Sequence, residues 1–469
     1  MDRGTLFLVV ACQAVALAAL LHRGGWDWAT LKATGRRLSL YPRLYGAMGG
    51  NAWRCCGLAG HSEVLIVGQR VLAGDGEEAP AAVHVSNGTI VGVYPFNGTR
   101  NMEDLPASTR SAAVFNYGGA VVAPGIIDVH VHLNMPGRED WEGMVSGTRA
   151  AAAGGVTTVV DMPLNSHPCT TEGPLLKQKL GLAKARSVVN TGFWGGLVPE
   201  NAADRVTLEA LLESGAFGLK AFMSPSGIND FPNVSRHHIE SAIPLLKERG
   251  MPLFVHAESV SHVHVPEGDP RAYSQYMASR PPKFESDAIS TLIDVLNSST
   301  HESKAGFRIH IAHLADANSL AMIQDAKSYG LPLTVETCPH YLSFWAEGIP
   351  DGATQYKCAP PLRDSANAIR LWDAVASGTI DMLSSDHSPA PPGMKHLDNG
   401  DFGKAWGGIS GRSRAAVSTG TKLQFCRIHT HGCAALCCQK LCINYLPSAN
   451  MGPVVWLLLW VWPVVATSE

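Results

Sequence analysis

The run GIIDVHVHL at residues 125–133 places His130 and His132 two apart at the end of an apolar stretch. Side chains of an extended strand alternate between faces, so both imidazoles point to the same side. Such a pair suits a metal ion, and it equally suits two satisfied buried polar residues. The surrounding pattern has to separate the two. Seven further runs of this kind follow: TTVVDMPL (157–164), NTGFWGGLV (190–198), FGLKAFM (217–223), PLFVHAES (252–259), FRIHIAHLA (307–315), LPLTVETCPHYL (331–342) and DMLSSDHSP (381–389). Between them lie stretches with helical spacing, among them DWEGMVSGTRAAAAGG (140–155), ADRVTLEALLESG (203–215), SRHHIESAIPLLKERG (235–250) and ANSLAMIQDAKSYG (317–330), all closing on glycine. Eight strand–helix repeats predict an α/β protein whose main body, residues 123–411, is a (β/α)8 TIM barrel. The active site of such a barrel lies at the C-terminal ends of its strands.

Candidate ligands converge on that mouth. His130 and His132 end the first strand, Lys220 lies in the fourth, His256 in the fifth, His313 in the sixth, and Asp386 closes the eighth. Each alone has an ordinary reading as a structural histidine, a stray lysine or a helix cap. Together, at strand ends where this architecture does its chemistry, they form a site. Imidazole suits Zn²⁺ and related ions, and an oxygen donor can bridge two of them. An ammonium at Lys220 facing two dications would be repelled. A neutral amine that has captured CO₂ removes the conflict, because a carbamate is an anion with two oxygens. A bridging water would then lose a proton near neutral pH to give a hydroxide nucleophile. Asp386 could accept the proton during attack and return it to the leaving nitrogen.

Upstream, residues 63–122 read as a small β domain of short alternating strands. Asn87-Gly88 between apolar alternations predicts a hairpin. A net charge of −3, without a basic stripe or a long like-charge run, excludes nucleic acid as an indicated partner. Five of the eleven cysteines (Cys426, Cys433, Cys437, Cys438, Cys442) cluster near the C-terminus, without the paired spacing of a zinc knuckle. Cys169, Cys338 and Cys358 are scattered, which points to a reduced, intracellular protein in the cytoplasm or an organelle. Residues 1–62 form an N-terminal extension. Its run TLFLVVACQAVALAALL (5–21) and the Arg-rich, acid-poor segment after it read as a signal peptide, a mitochondrial presequence or a short anchor. Four N-x-[ST] sequons, at Asn87, Asn97, Asn233 and Asn297, would matter only in a secreted chain.

The motifs DVHVHLNMPGREDWEGMVSGTRAAAAGGVTTVVDMPLNSHP (128–168), GLKAFMSPSG (218–227), FVHAES (254–259), RIHIAHLA (308–315), TVETCPHYL (334–342), KCAPPLRD (357–364), SSDHSPAPP (384–392) and DFGKAWGGISG (401–411) resemble the allantoinases, a family in the cyclic-amide branch of the amidohydrolase superfamily. The resemblance runs from about residue 64 to 411. It implies a dinuclear zinc hydrolase that opens the hydantoin ring of allantoin to allantoate in purine breakdown, and a homotetramer. Carried over by motif, His130 and His132 would bind one zinc, His256 and His313 the other, and carbamylated Lys220 would bridge them. Asp386 would be both ligand and catalytic base, and the backbone of Ser388 would contact the substrate ring. His310, an odd number of residues from His313, should face the other side as a structural residue. His340 and His387 read as structural or supporting. Dihydropyrimidinases and hydantoinases share the metal set, so activity on another cyclic amide is the competing reading; MPLNSHP and AWGGISG favour the allantoinases.

Residues 412–469 depart from the family as a Cys-rich and apolar tail, ending in VVWLLLWVWPVV (454–465), too short to span a bilayer comfortably. A barrel without its last helix would expose the outer face of strands eight and one, and the β-sandwich would be incomplete. A non-catalytic truncated isoform is therefore the reading from another class. The dihydropyrimidinase-related scaffold proteins are a third, and the intact ligand set argues against them.

Overall fold

A computed structural model describes residues 61–72, 78–95, 105–259, 267–299, 306–411 and 454–456. The candidate targeting run, the cysteine cluster and the sequon at Asn97 lie outside the described residues, as does all but the first three residues of the terminal apolar run. The chain divides into two compact units, Met1–His61 and Ser62–Glu469, and everything below concerns the second. Among the described residues no helix is long and apolar enough to cross a membrane.

The first sheet is built from β1 (Glu63–Leu72), β2 (Glu78–Ser86), β3 (Thr89–Pro95), β4 (Ala113–Asn116) and β5 (Val121–Ala123). β1–β2 and β2–β3 are antiparallel, while β4 and β5 run parallel to β1. The β2–β3 turn uses Asn87 (φ 47°) and Gly88 (φ 79°), the two positive angles that a tight hairpin turn needs. Val454–Trp456 adds a parallel neighbour to β5.

All remaining pairing is parallel. β6 (Ile126–Val131), β7 (Val156–Asp161) and β8 (Asn190–Phe193) form one sheet. β9 (Gly195–Gly196), β10 (Leu219–Phe222), β11 (Leu253–His256), β12 (Ile309–Ile311), β13 (Leu333–Thr337) and β14 (Met382–Leu383) form another, hydrogen-bonded in sequence order. Only Trp194 separates β8 from β9; its N–H donates to Asp161 O and its indole N–H to Val129 O, at 3.0 and 2.9 Å. At the other end the His132 N–H donates to His387 O at 2.9 Å. The helices α1 (Met144–Ala153), α2 (Gly173–Arg186), α3 (Arg205–Glu213), α4 (Arg236–Arg249), α5 (Tyr273–Ser279), α6 (Lys283–Ser298), α7 (Leu320–Ser328), α8 (Pro339–Ser343) and α9 (Ser365–Ser377) intervene. Asp204 caps α3 by accepting from the Thr207 N–H, and α4 ends on left-handed Gly250, as its sequence predicts. α6 buries Phe284, Ala288, Ile289, Leu292, Val295 and Leu296, one stripe of helical period, into the core shared with the strands.

The parallel strands are shorter than the runs the sequence predicts, and two of their ends show the reason. The seventh stops at Thr337 because Pro339, which has no N–H to pair, opens α8 at its first turn. The eighth stops at Leu383, where Asp128 takes over: its carboxylate accepts from the Ser385 N–H at 3.1 Å and from its hydroxyl at 2.5 Å. In the first and last of the parallel strands, Ile126 and Ile127 of β6 and Met382 and Leu383 of β14 are half-buried, whereas every residue of β10, β11 and β12 is buried.

Candidate active site

The strand ends bring the candidate residues to one cavity of about 440 Å³, within the range of small-ligand sites, lined by His130, His132, His256, His313, Asp386 and Ser388 among others. His130 is buried at the end of β6. Its Nδ1 lies 2.6 Å from Glu336 Oε1, and this fixes the ring so that Nε2 faces Asp386 Oδ1 at 3.1 Å. His132 Nε2 approaches the same oxygen at 3.4 Å, with the Asn165 amide 3.2 Å from Nδ1. His130, His132 and Asp386 thus offer donor atoms within 4.8 Å of one another, a spacing that a single ion can satisfy.

His256 and His313 sit beside this group. The His256 and His313 rings are 4.5 Å apart between centroids, and His313 lies 5.3 Å from His130. His256 Nε2 is 2.7 Å from Glu258 Oε2, leaving Nδ1 as the free donor atom. His313 Nδ1 is buried without a hydrogen-bond partner among the described residues. Burial pushes His132, His256 and His313 below the ordinary histidine value, which favours the neutral, metal-ready imidazole. Asp386 is held well below the usual carboxylate range: burial opposes this, but the His130, His313 and His132 imidazoles outweigh it.

Lys220, on β10, is fully buried, and its Nζ has no hydrogen-bond partner among the described residues. It lies 4.9 Å from the Phe222 ring centre and 4.7 Å from that of Phe254. Phe222 stacks on His256 and Phe254 meets His130 edge-on, so the amine sits between the two histidine groups. Burial lowers its pKa to about 8, against the pull of Glu336 and Asp386. An orphaned buried amine next to four imidazoles and a carboxylate fits a metal centre that the lysine enters in anionic form. The donor atoms of His256 and His313 nevertheless fall outside the His130–His132–Asp386 group.

The Ser388 N–H already donates to Ile409 O, and its hydroxyl bonds Asp386 Oδ1 at 3.2 Å, so its carbonyl is the backbone group left to meet a ligand. Gly408 (φ 152°) packs against that carbonyl so closely that a Cβ there would lie 2.6 Å from it. Three residues lining the cavity, Asn165 (φ 67°), His313 (φ 35°) and Asp386 (φ 43°), hold left-handed angles that cost energy in non-glycine residues. The angle at His313 corrects the strand arithmetic for His310. β12 ends at Ile311, so alternation no longer applies two residues later. His310 bonds Thr334 and lies 3.4 Å from Glu336, in the layer beneath His130 rather than on the opposite face. His387 accepts the Gly411 N–H at Nδ1 and pairs with Glu142 through Nε2. His340 is buried with Nε2 unpartnered, and burial lowers it to about 4.

Sequence reasoning missed Glu258 and Glu336, both fully buried. Each grips the outer nitrogen of a candidate metal-binding histidine, and Glu336 also accepts the His313 N–H at 3.1 Å. The available signal was a carboxylate inside an apolar strand run, in FVHAES and TVETCPH.

Residues 121–425 match the model of the amidohydrolase family. The chain is 49% identical to the allantoinase of Arabidopsis thaliana over 361 residues, covering 76% of this chain and 70% of that one. It is 45% identical to a probable allantoinase of Oryza sativa over 415 residues, covering 87% and 76%. Among solved structures, the L-hydantoinase (dihydropyrimidinase) of Arthrobacter aurescens superposes with a TM-score of 0.63 at 26% identity, covering 74% of each chain. A family match over most of the chain, carried by the strand ends described above, makes this protein a member of the amidohydrolase family.

Proposed function

We propose that this chain is an allantoinase, a metal-dependent hydrolase of cyclic amides that opens the hydantoin ring of allantoin to allantoate. The observation that carries the reading is Lys220: a fully buried amine without a hydrogen bond among the described residues, between the ring that stacks on His256 and the ring that meets His130. The allantoinase relatives support the substrate. In this reading His130 and His132 hold one zinc, His256 and His313 the other, and Asp386 joins the first pair. The neutral Lys220 amine would add to CO₂, its N–C bond forming as one C=O π bond opens and its proton passes to water, and the carbamate would let Lys220 join the histidines in holding the metal. When bound, the two ions supply Lewis acidity for the ring carbonyl and make water acidic enough to act near neutral pH.

The chain's own residues do the rest. Glu336 and Glu258 hold His130 and His256 in one tautomer and orientation. The carbonyl of Ser388, propped by Gly408, accepts from a ring N–H and orients the substrate. Asp386 takes the proton of the attacking water at its carboxylate and delivers it to the ring nitrogen as the C–N bond breaks. We read the parallel strands as one closed eight-stranded barrel, joined through residues 190–196 and through the His132–His387 hydrogen bond, with residues 63–122 as its small β domain. The subunits form a homotetramer in this reading, and a mitochondrial location is supported by the mitochondrial allantoinase of Aquarana catesbeiana, 41% identical. The hydantoinase structures favour a second substrate reading, hydantoins or dihydropyrimidines.

The test is allantoin hydrolysis by the purified 469-residue chain with Zn²⁺ and bicarbonate, with Lys220→Ala beside it. Allantoate formed by the first and absent from the second supports the proposal. A soluble, zinc-loaded chain that is silent on allantoin and opens dihydrouracil transfers the reading to the dihydropyrimidinases.

A further inference from the structure

The cavity has a wall that ring opening leaves unused. Arg280, Ser279, Tyr276, Lys357 and Trp406 line the same space as the four histidines. Arg280 follows the last turn of α5 and is committed along one edge only: its Nε donates to Glu258 Oε1 at 3.1 Å and its Nη2 bonds Oε2. Nη1 has no hydrogen-bond partner among the described residues, and 24% of the side chain is exposed. A guanidinium is a rigid planar fork, so binding a carboxylate along the Nε–Nη2 edge turns Nη1 away from it, toward the cavity that the residue lines. Glu258 neutralises the charge. Lys357 alongside spends its Nζ on Ala405 O at 2.7 Å and Gly403 O at 3.3 Å. The wall therefore offers Arg280 Nη1 as an uncommitted donor, beside the Lys357 ammonium, whose own donors are engaged.

We infer that Arg280 is a specificity-determining residue: its Nη1 receives the neutral carbonyl oxygen of a urea or amide group borne as a substituent on the cyclic amide. An apolar substituent leaves the donor unpaired in a partly desolvated wall, and this costs binding. The inference rests on the cyclic-amidohydrolase reading and deepens it, naming the substituent that the site selects.

The experiment compares two neutral hydantoins of similar size, carrying 5-ureido (allantoin) and 5-isobutyl groups, on the full zinc-loaded chain and on Arg280→Lys. The lysine retains a cation for Glu258 but has no second edge to offer a substrate. In the unmodified chain kcat/KM should favour the ureido ring by roughly 10- to 100-fold over the isobutyl ring. Arg280→Lys should collapse that ratio through KM for allantoin, with the zinc content measured in the same samples. Equal or better turnover of the isobutyl ring by the unmodified chain overturns the inference, and it does so even if the variant fails to fold. Should neither ring be opened, the cyclic-amide reading fails instead. Calorimetric binding of the same two compounds then decides for Arg280: a ureido preference lost in Arg280→Lys supports it, and equal affinities overturn it.

Discussion

Two buried lysines divide the structure into a region that is held together and a region that is prepared for chemistry. Lys179, on α2, is 1% exposed, and its Nζ lies 2.7 Å from Asp161 Oδ2 and donates to Met162 O at 2.8 Å. Lys220, on β10, is fully buried and has neither ion pair nor hydrogen bond among the described residues. Its two aromatic neighbours supply about 2 kcal/mol of cation–π attraction when desolvated. Removing an ammonium from water costs several kcal/mol, so the rings alone do not hold it. The contrast teaches that Lys179 is a complete structural unit, and that Lys220 awaits a chemical partner.

The largest effect should come from replacing each lysine by methionine, which keeps most of the volume and removes the charge. Lys220→Met should lower kcat on allantoin by roughly three orders of magnitude or more, each 1.4 kcal/mol of lost transition-state stabilisation being tenfold. The metal-free variant should at the same time be more stable than the metal-free parent in urea unfolding. Lys179→Met should do the opposite. It leaves Asp161 buried and unpaired, with a loss of about 3–5 kcal/mol of stability, and the activity per folded molecule should survive. Equal destabilisation by both substitutions would break the comparison.

The sequence made Lys220 conspicuous for the same reason that it left Lys179 unnoticed. A lysine inside an apolar strand at a barrel mouth violates the pattern, whereas one within α2 looks like an ordinary solvated position, and its partner Asp161 closes a different strand. Strand ends were legible because apolar runs and histidine placement coincide there. Glu336 was not, because its partner His130 is 206 residues away and only the tertiary fold brings them together. Arg280 was hidden at the end of a short helix, where nothing in the local pattern marks a residue facing a cavity. His310 was misjudged because a left-handed residue after the strand end breaks the two-residue alternation. The early stop of the eighth strand depends on Asp128, 257 residues from Ser385, and so lies beyond any local reading.

The supporting carboxylates sharpen the comparison at the next level. If Lys220 awaits an ion-bound partner, the histidines around it must be kept in register by Glu258 and Glu336. Glu258→Gln and Glu336→Gln should each weaken zinc affinity by roughly 10- to 100-fold, the usual cost of losing a partner behind a ligand. Competition with a coloured chelator measures this directly. Glu336→Gln should have the larger effect on the ion held by His130 and His132, and Glu258→Gln on the one held by His256 and His313. Unchanged affinity in both would mean that the histidines need no such support, and Lys220 would lose its rationale as part of a metal centre.

The smallest effect is the dependence of the metal-free chain on pH. Lys220 titrates near pH 8 in the folded chain because burial disfavours its charge, and near its ordinary value of 10.5 when unfolded. Between these values the unfolded chain binds more protons than the folded one, so folding stability should rise with pH there; below about 8 the penalty of the buried ammonium is constant. Measured as the difference between the parent and Lys220→Met, the gain should be about 1 kcal/mol from pH 8 to 9, with CO₂ excluded so that no carbamate forms. Readmitting CO₂ at fixed pressure should convert the neutral amine to carbamate, more fully as pH rises through about 8, and a ¹³C carbonyl resonance absent from Lys220→Met would report it. A parent whose stability is flat across this range would show that Lys220 keeps its proton when buried, and the distinction between the two lysines would then rest on geometry alone.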